Sequence, residues 1–147
     1  LTVARSLGTD LIVAHVGDSR AYLFRNGSLE RLTRDDTLAQ EIRDASPAEG
    51  MQQIAARFRH LLTQSLGSDK VEIVPQIRRE TLQDGDKLLL CTDGLTDLVS
   101  DEVIADQLTR ADSPQANCDA LLELALAAGG KDNVTVAIAA YRVQSDG

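Results

Sequence analysis

The chain has no tryptophan, one methionine and only three prolines in 147 residues. Aromatic residues make up 3%, so a core has to be built from leucine, valine, isoleucine and alanine. The length still suffices for one domain, and a hydrophobic content of 43% is ordinary for a globular protein. Positive charge is scarce: 15 Lys and Arg stand against 23 Asp and Glu, a net charge of -8. That balance repels a phosphate backbone and an anionic bilayer, so neither nucleic acid nor membrane is an expected partner. An anionic substrate stays compatible if a bound cation reverses the local field. No apolar run is long enough to span a membrane, and no signal peptide opens the sequence. Cysteine is limited to Cys91 and Cys118. One falls in an apolar strand pattern and one in a helical pattern, which reads as two reduced thiols and a cytoplasmic location. The first residue is Leu1, and the chain is expected to begin downstream of the start of its gene.

What is present reads as a single α+β unit. "TVARSLGTDLIVAHVGDSRAYLFRNGSLERLT" has the look of a β-meander. Strands are predicted over 11–16, 20–25 and 29–33. Asn26-Gly27 is a strong hairpin signal, because both central residues of a type I′ turn need positive φ. In the middle strand Ala21, Leu23 and Arg25 face away from Tyr22 and Phe24. A short helix follows in "DDTLAQEIRDA", with Asp35-Asp36 as its expected cap. A longer one is expected in "SPAEGMQQIAARFRHLL", with Ser46 and Glu49 as a capping box around Pro47. Its apolar stripe would be Met51, Ile54, Ala55, Phe58 and Leu62, and His60 would lie at its end. "VEIVPQIRRETL" is a strand, with Pro75 pointing to an edge or bulge. Asp84-Gly85 turns into the buried strand 88–91. Ser100 and Ser113-Pro114 start two more helices; Cys118, Leu121, Leu122 and Ala125 are expected to face the core, and Gly129 to close the last helix. "NVTVAIAAYRV" is the final strand.

Three acids share one context. Asp18 in "HVGDSR" and Asp93 in "CTDGL" follow strands, and Asp132 in "GGKDNVT" precedes one. Strand ends from distant parts of a sequence can meet on one rim of a sheet. Carboxylates that meet repel one another unless protons or cations intervene. Hard divalent ions such as Mg²⁺ or Mn²⁺ suit an all-oxygen site. Each acid taken singly reads more readily as a turn former than as a ligand, and spacing alone leaves both readings open for the three together. Asp97 reads as a loop-shaping residue, and His15 as a hydrogen-bonded core histidine. No nucleophile elbow surrounds Ser19, and Gly129-Gly130 precedes a strand instead of the helix that a phosphate loop requires.

Taken together, "LIVAHVGDSRAYLFRNGSLERLTRDD", "LLTQSLGS", "DGDKLLLCTDGLTDLVSDEVI" and "GGKDNVTVAIAAY" resemble the PP2C-type (PPM) family of metal-dependent serine/threonine protein phosphatases. The four motifs occur in the family's order and cover most of the chain. The resemblance implies part of a four-layer α-β-β-α sandwich, two mainly antiparallel sheets flanked by helices. It implies two Mg²⁺ or Mn²⁺ ions, with a third, weaker one. Asp93 and Asp132 stand at metal-ligand positions of the family, and Asp18 at a ligand of the third ion. The implied function is hydrolysis of phosphoserine and phosphothreonine in proteins by a metal-activated water, with no catalytic residue beyond the metal ligands. The family's Asp-Gly-His-Gly-Gly motif, its Glu-Asp pair and its phosphate-binding arginine are missing. Residues 1–143 therefore look like the C-terminal portion of a phosphatase domain, with 144–147 as a tail. Such a piece is expected to be nearly inactive alone and to self-associate. Asp36 stands where a histidine is common, Thr92 where a serine is frequent, and Gln64 where an arginine is frequent. The alternative is a non-catalytic, PP2C-like regulatory or partner-binding module.

Overall fold

The structure, a computed structural model, describes residues 1–46, 49–67, 72–110 and 113–143. Strands β1 (Thr2–Leu7) and β2 (Asp10–His15) form a hairpin, and β2 pairs on its other side with β5 (Gln76–Thr81). The second sheet runs β4-β3-β6-β7, from β3 (Arg20–Arg25), β4 (Ser28–Arg31), β6 (Lys87–Cys91) and β7 (Val136–Ala140). All pairings in both sheets are antiparallel. The β3–β4 turn has positive φ at both Asn26 and Gly27, as its sequence requires.

The alternation in β3 serves two cores. Ala21 and Leu23 pack with Leu11, Val13, Leu32, Leu82 and Leu88 between the sheets. Tyr22 and Phe24 pack with Leu89, Cys91, Ile104, Leu108 and Leu121 on the other side. That second core is closed by α4 (Asp101–Arg110) and α5 (Pro114–Ala127). Helices α1 (Leu38–Ala45) and α2 (Glu49–Ala56) pack on each other, and α3 (Asp93–Thr96) is one short turn. The α+β class and the two antiparallel sheets are as expected. The outer face of the β1-β2-β5 sheet presents Val3, Leu7, Ile12 and Ile77 to solvent.

Several local expectations are corrected. Thr37, not Asp35 or Asp36, caps α1, accepting from the Gln40 N–H at 3.2 Å. Both aspartates are buried, Asp35 between Arg20 and Arg31. Ser46 ends α1, its N–H donating to the Ile42 carbonyl; the capping box expected around Pro47 falls partly outside the described residues. Helix α2 stops at Ala56, so Phe58, His60 and Leu62 lie beyond it. The segment after it pairs with another stretch of backbone instead: Leu38 N–H donates to Leu61 O and Thr63 N–H to Asp36 O, both at 2.8 Å. This long-range pairing overrides the helical stripe. In α5, Leu121 and Ala125 are buried as expected, but Leu122 is exposed. Strand β5 begins directly after Pro75 and is an edge strand.

One rim of the central sheet carries a closed ion pair. The buried Asp86 carboxylate accepts from Arg25 at 2.6 and 2.8 Å and from the Gln83 N–H at 2.8 Å. Burial alone would raise its pKa; the arginine and the backbone donor outweigh it and hold the carboxyl below its ordinary value. Stability from a depressed carboxyl is present above the unfolded-state pKa and is lost as pH falls through the folded value. Asp86→Asn is therefore expected to cost about 2 kcal/mol at neutral pH. It should also flatten the decline in stability between about pH 5 and pH 2. Urea denaturation across that range checks both, and an unaltered acid limb would contradict the assignment.

Candidate functional site

Asp18 sits in the tight turn from β2 to β3. Gly17 before it has φ +115°, a conformation that side-chain-bearing residues rarely adopt. The Gly17 N–H donates to Asp36 Oδ2 at 2.9 Å, and the Asp36 N–H donates back to Gly17 O at 2.7 Å. His15 Nε2 lies 3.0 Å from the same carbonyl, and His15 Nδ1 lies 2.9 Å from Thr2 Oγ1. His15 is thus the buried, hydrogen-bonded histidine that the sequence suggested. Its burial lowers its pKa, against the opposing pull of Asp36.

Asp93 follows the buried β6 directly and opens α3. Thr92 joins this strand end to the loop that carries Asp132. Its hydroxyl donates to Asn133 O at 3.2 Å and accepts from the Thr135 N–H at 3.0 Å. Its backbone N–H donates to Thr135 O at 3.1 Å. A serine at this place would offer the same hydroxyl, which accounts for the tolerated exchange. Gly94 allows the approach: a Cβ there would run into the Asn133 carbonyl. On its other side the loop is fixed by the end of α5. Gly129 N–H donates to Leu126 O and Gly130 N–H to Ala125 O, at 3.0 and 3.1 Å, with positive φ at both glycines. This is a Schellman closure, and Gly129 sits at the position expected for it.

Asp18, Asp93 and Asp132 line one cavity of about 450 Å³. The sequence predicted this convergence. It missed Asp97, Arg59, His60 and Lys131, which line the same cavity. Asp97 had a legible signal, because an acid four residues after Asp93 shares its helical face. Arg59 and His60 had none, since long-range pairing places their segment. One potential ligand atom from each of His60, Asp93 and Asp97 lies within 4.8 Å of the others. Asp97 has the Arg59 guanidinium as a neighbour, Nε at 3.5 Å, and the His60 ring Nε2 at 3.8 Å. Among the described residues Asp18, Asp93 and Asp132 form no ion pair. The Asp93 carboxyl is pushed above its usual pKa, first by burial and then by the charges of Asp18, Asp97 and Asp132. The three aspartates thus offer carboxylate oxygens, which suit a hard divalent cation, while the group His60, Asp93 and Asp97 adds a ring nitrogen. No helix among the described residues is long and apolar enough to cross a membrane.

The family model for protein phosphatase 2C matches residues 2–134. The chain is similar to the serine/threonine protein phosphatase PstP of Mycobacterium tuberculosis, 39% identical over 139 residues, covering 95% of this chain and 26% of PstP. It is also similar to the protein phosphatase PhpP of Streptococcus pneumoniae, 38% identical over 139 residues, covering 94% of this chain and 56% of PhpP. The chain therefore spans little more than half of PhpP and about a quarter of PstP. Its fold resembles a crystal structure of the catalytic domain of PstP in complex with two manganese ions. The TM-score is 0.79 at 38% identity, covering 93% of this chain and 56% of that one. A match over most of its length, with a fold and motif order in common, makes this chain a member of the protein phosphatase 2C family.

Proposed function

We propose that this chain is the C-terminal part of a metal-dependent phosphatase that hydrolyses phosphoserine and phosphothreonine in proteins. Residues 1–143 would be that part of the catalytic domain, with 144–147, outside the described residues, as its tail. Asp93 and Asp132 would hold the Mg²⁺ or Mn²⁺ ions, and Asp18 a weaker third ion. The observation that carries the reading is the meeting of three carboxylates without ion pairs, from three distant stretches of sequence, in one cavity. A regulatory module would have no use for that repulsion. The manganese in the PstP catalytic domain supports the same assignment. Bound ions supply Lewis acidity, activating water for attack on phosphorus and neutralising the phosphoryl oxygens. The chain's own residues hold the acids on one rim. Arg59 and Lys131 add positive charge to the cavity lining, which favours an approaching phosphate. Two unbridged thiols, Cys91 and Cys118, fit a cytoplasmic setting.

The charge argument separates ligand from structural roles. In the complete protein Asp93→Asn is expected to lower kcat on a phosphopeptide by about 100-fold or more and to weaken Mn²⁺ binding. In the absence of metal the same variant should melt higher than its parent, because it removes one of the charges that repel each other. Calorimetry with and without Mn²⁺ reads both effects. Full turnover, or a lower metal-free melting temperature, would remove Asp93 from the metal site.

The 147-residue chain alone is expected to show at most trace activity, since Mg²⁺ or Mn²⁺ sheds water reluctantly for two or three acids. Val3, Leu7, Ile12 and Ile77, exposed by between 37% and 65%, lie among Arg5, Asp10 and Arg79 on the outer face of an open sheet. Such a face favours association. A phosphopeptide assay with Mn²⁺, together with light scattering, tests both expectations. Robust turnover from a monodisperse monomer would contradict them.

A further inference from the structure

Asp36 departs from the residue usual at its place, and its surroundings depart with it. The side chain is 2% exposed, yet no cation pairs with it among the described residues. Its two oxygens are held by neutral donors instead. Oδ2 accepts from the Gly17 N–H at 2.9 Å. Oδ1 accepts from Gln64 Nε2 at 3.3 Å and from Gln76 Nε2 at 3.0 Å. Its backbone repeats the pattern, donating to Gly17 O at 2.7 Å and accepting from the Thr63 N–H at 2.8 Å. Asp36 thus binds twice to the residue before Asp18 and twice to the pair Thr63-Gln64. Both segments contribute to one cavity: Asp18 comes from the first, and Arg59, His60 and Leu62 lead into the second.

We infer that Asp36 is a positioning residue, setting the Asp18 turn against the segment 59–64 and so fixing the geometry of that side of the cavity. The consequence for metal binding rests on the reading of Asp18 as a ligand; the coupling of the two segments does not. The donors around Asp36 leave little freedom. Gln64 cannot turn its amide, because its Oε1 accepts from the Val74 N–H at 2.8 Å. Gln76 is fixed likewise, with its Oε1 accepting from the Arg34 N–H at 2.9 Å and its Nε2 donating to Arg34 O at 2.7 Å. The site therefore demands acceptors on both oxygens, which a carboxylate supplies and an amide of the same size does not. In Asp36→Asn an NH₂ group must face either the Gly17 N–H or two glutamine NH₂ groups.

The test compares the full-length protein with its Asp36→Asn variant by amide hydrogen exchange and by Mn²⁺ titration. Exchange is expected to accelerate at Gly17–Ser19, Thr63 and Val74 while the core strands β3 and β6 stay protected. The weakest Mn²⁺ site should lose about 10-fold in affinity, and the tighter sites should lose less. A merely structural role would raise exchange throughout and leave the ratio of site affinities unchanged, which overturns the inference. If the parent protein binds no Mn²⁺, the metal reading falls, and the exchange arm still decides the role of Asp36. Should Asp36→Asn fail to fold, Gln64→Ala replaces it. Acceleration at both Val74 and Gly17 supports the coupling, and acceleration confined to Val74 overturns it.

Discussion

A sheet that is buried on both faces has nowhere to place a charge except at its ends. This constraint governs the two central strands of the β4-β3-β6-β7 sheet. They alternate between a core shared with the other sheet and a core shared with the helices. Within β3 and β6 the middle positions are therefore apolar apart from the Tyr22 hydroxyl, and the charged groups stand at or beyond the strand ends. Pairing then decides which rim. Arg20 is opposite Cys91, and Cys91 is opposite Val136, so the start of β3, the end of β6 and the start of β7 share one edge. The turns at that edge carry Asp18, Asp93 and Asp132. The positions of the three acids follow from antiparallel register and burial together, before any contact among their side chains is considered.

Both rims pair an acid with arginine. At one, Arg25 neutralises Asp86, and the pair is closed with a backbone donor. The start of β3 also has a neutralised acid, Asp35, held by Arg20 and Arg31. Arg20 is joined to Tyr22, and the Tyr22 hydroxyl donates to Asp101 at the start of α4. The chain thus has the means to pair an acid at a strand end, and uses them beside the cavity as well as far from it. Among the described residues Asp18, Asp93 and Asp132 are passed over. Carboxylates so arranged cost stability in the absence of a cation, a pattern that belongs to sites kept for binding.

Features carried by short-range chemistry were legible in the sequence. The Asn26-Gly27 turn, the Ser113 cap with its Pro114, the Gly129 closure and the alternation in β3 each depend on residues within a few positions of one another. The convergence of Asp18, Asp93 and Asp132 was legible only once the motif resemblance was added to their strand-end context, which by itself left a turn role open for each acid. What failed depends on distant pairing. Phe58 and Leu62 fit a helical stripe, but the backbone at 61–63 is taken by the backbone at 36–38. That same event moves Asp36 from a helix cap into a buried junction and brings Arg59 and His60 to the cavity. A periodic pattern reports which face of an element is apolar and says nothing of a competing backbone partner elsewhere in the chain.

The positions at which the sequence departs from the motifs it resembles divide along the same line. At position 92 the chemistry is local and narrow: a hydroxyl must both donate to Asn133 O and accept from Thr135 N–H. Serine and threonine both do this, so the exchange stands alone. Gly94 admits no such freedom, because the Asn133 carbonyl occupies the space a Cβ would take. Positions 36 and 64 behave in a third way. An acid at 36 needs donors around it, and glutamine at 64 supplies one while its own oxygen is held by Val74 N–H. A histidine at 36 would bring a donor towards the same groups. The two departures are mutually compatible because they complete one donor–acceptor set, with Gln76 as its third member. A change at either position therefore has to be read together with the other, since each side chain satisfies a buried group of its partner.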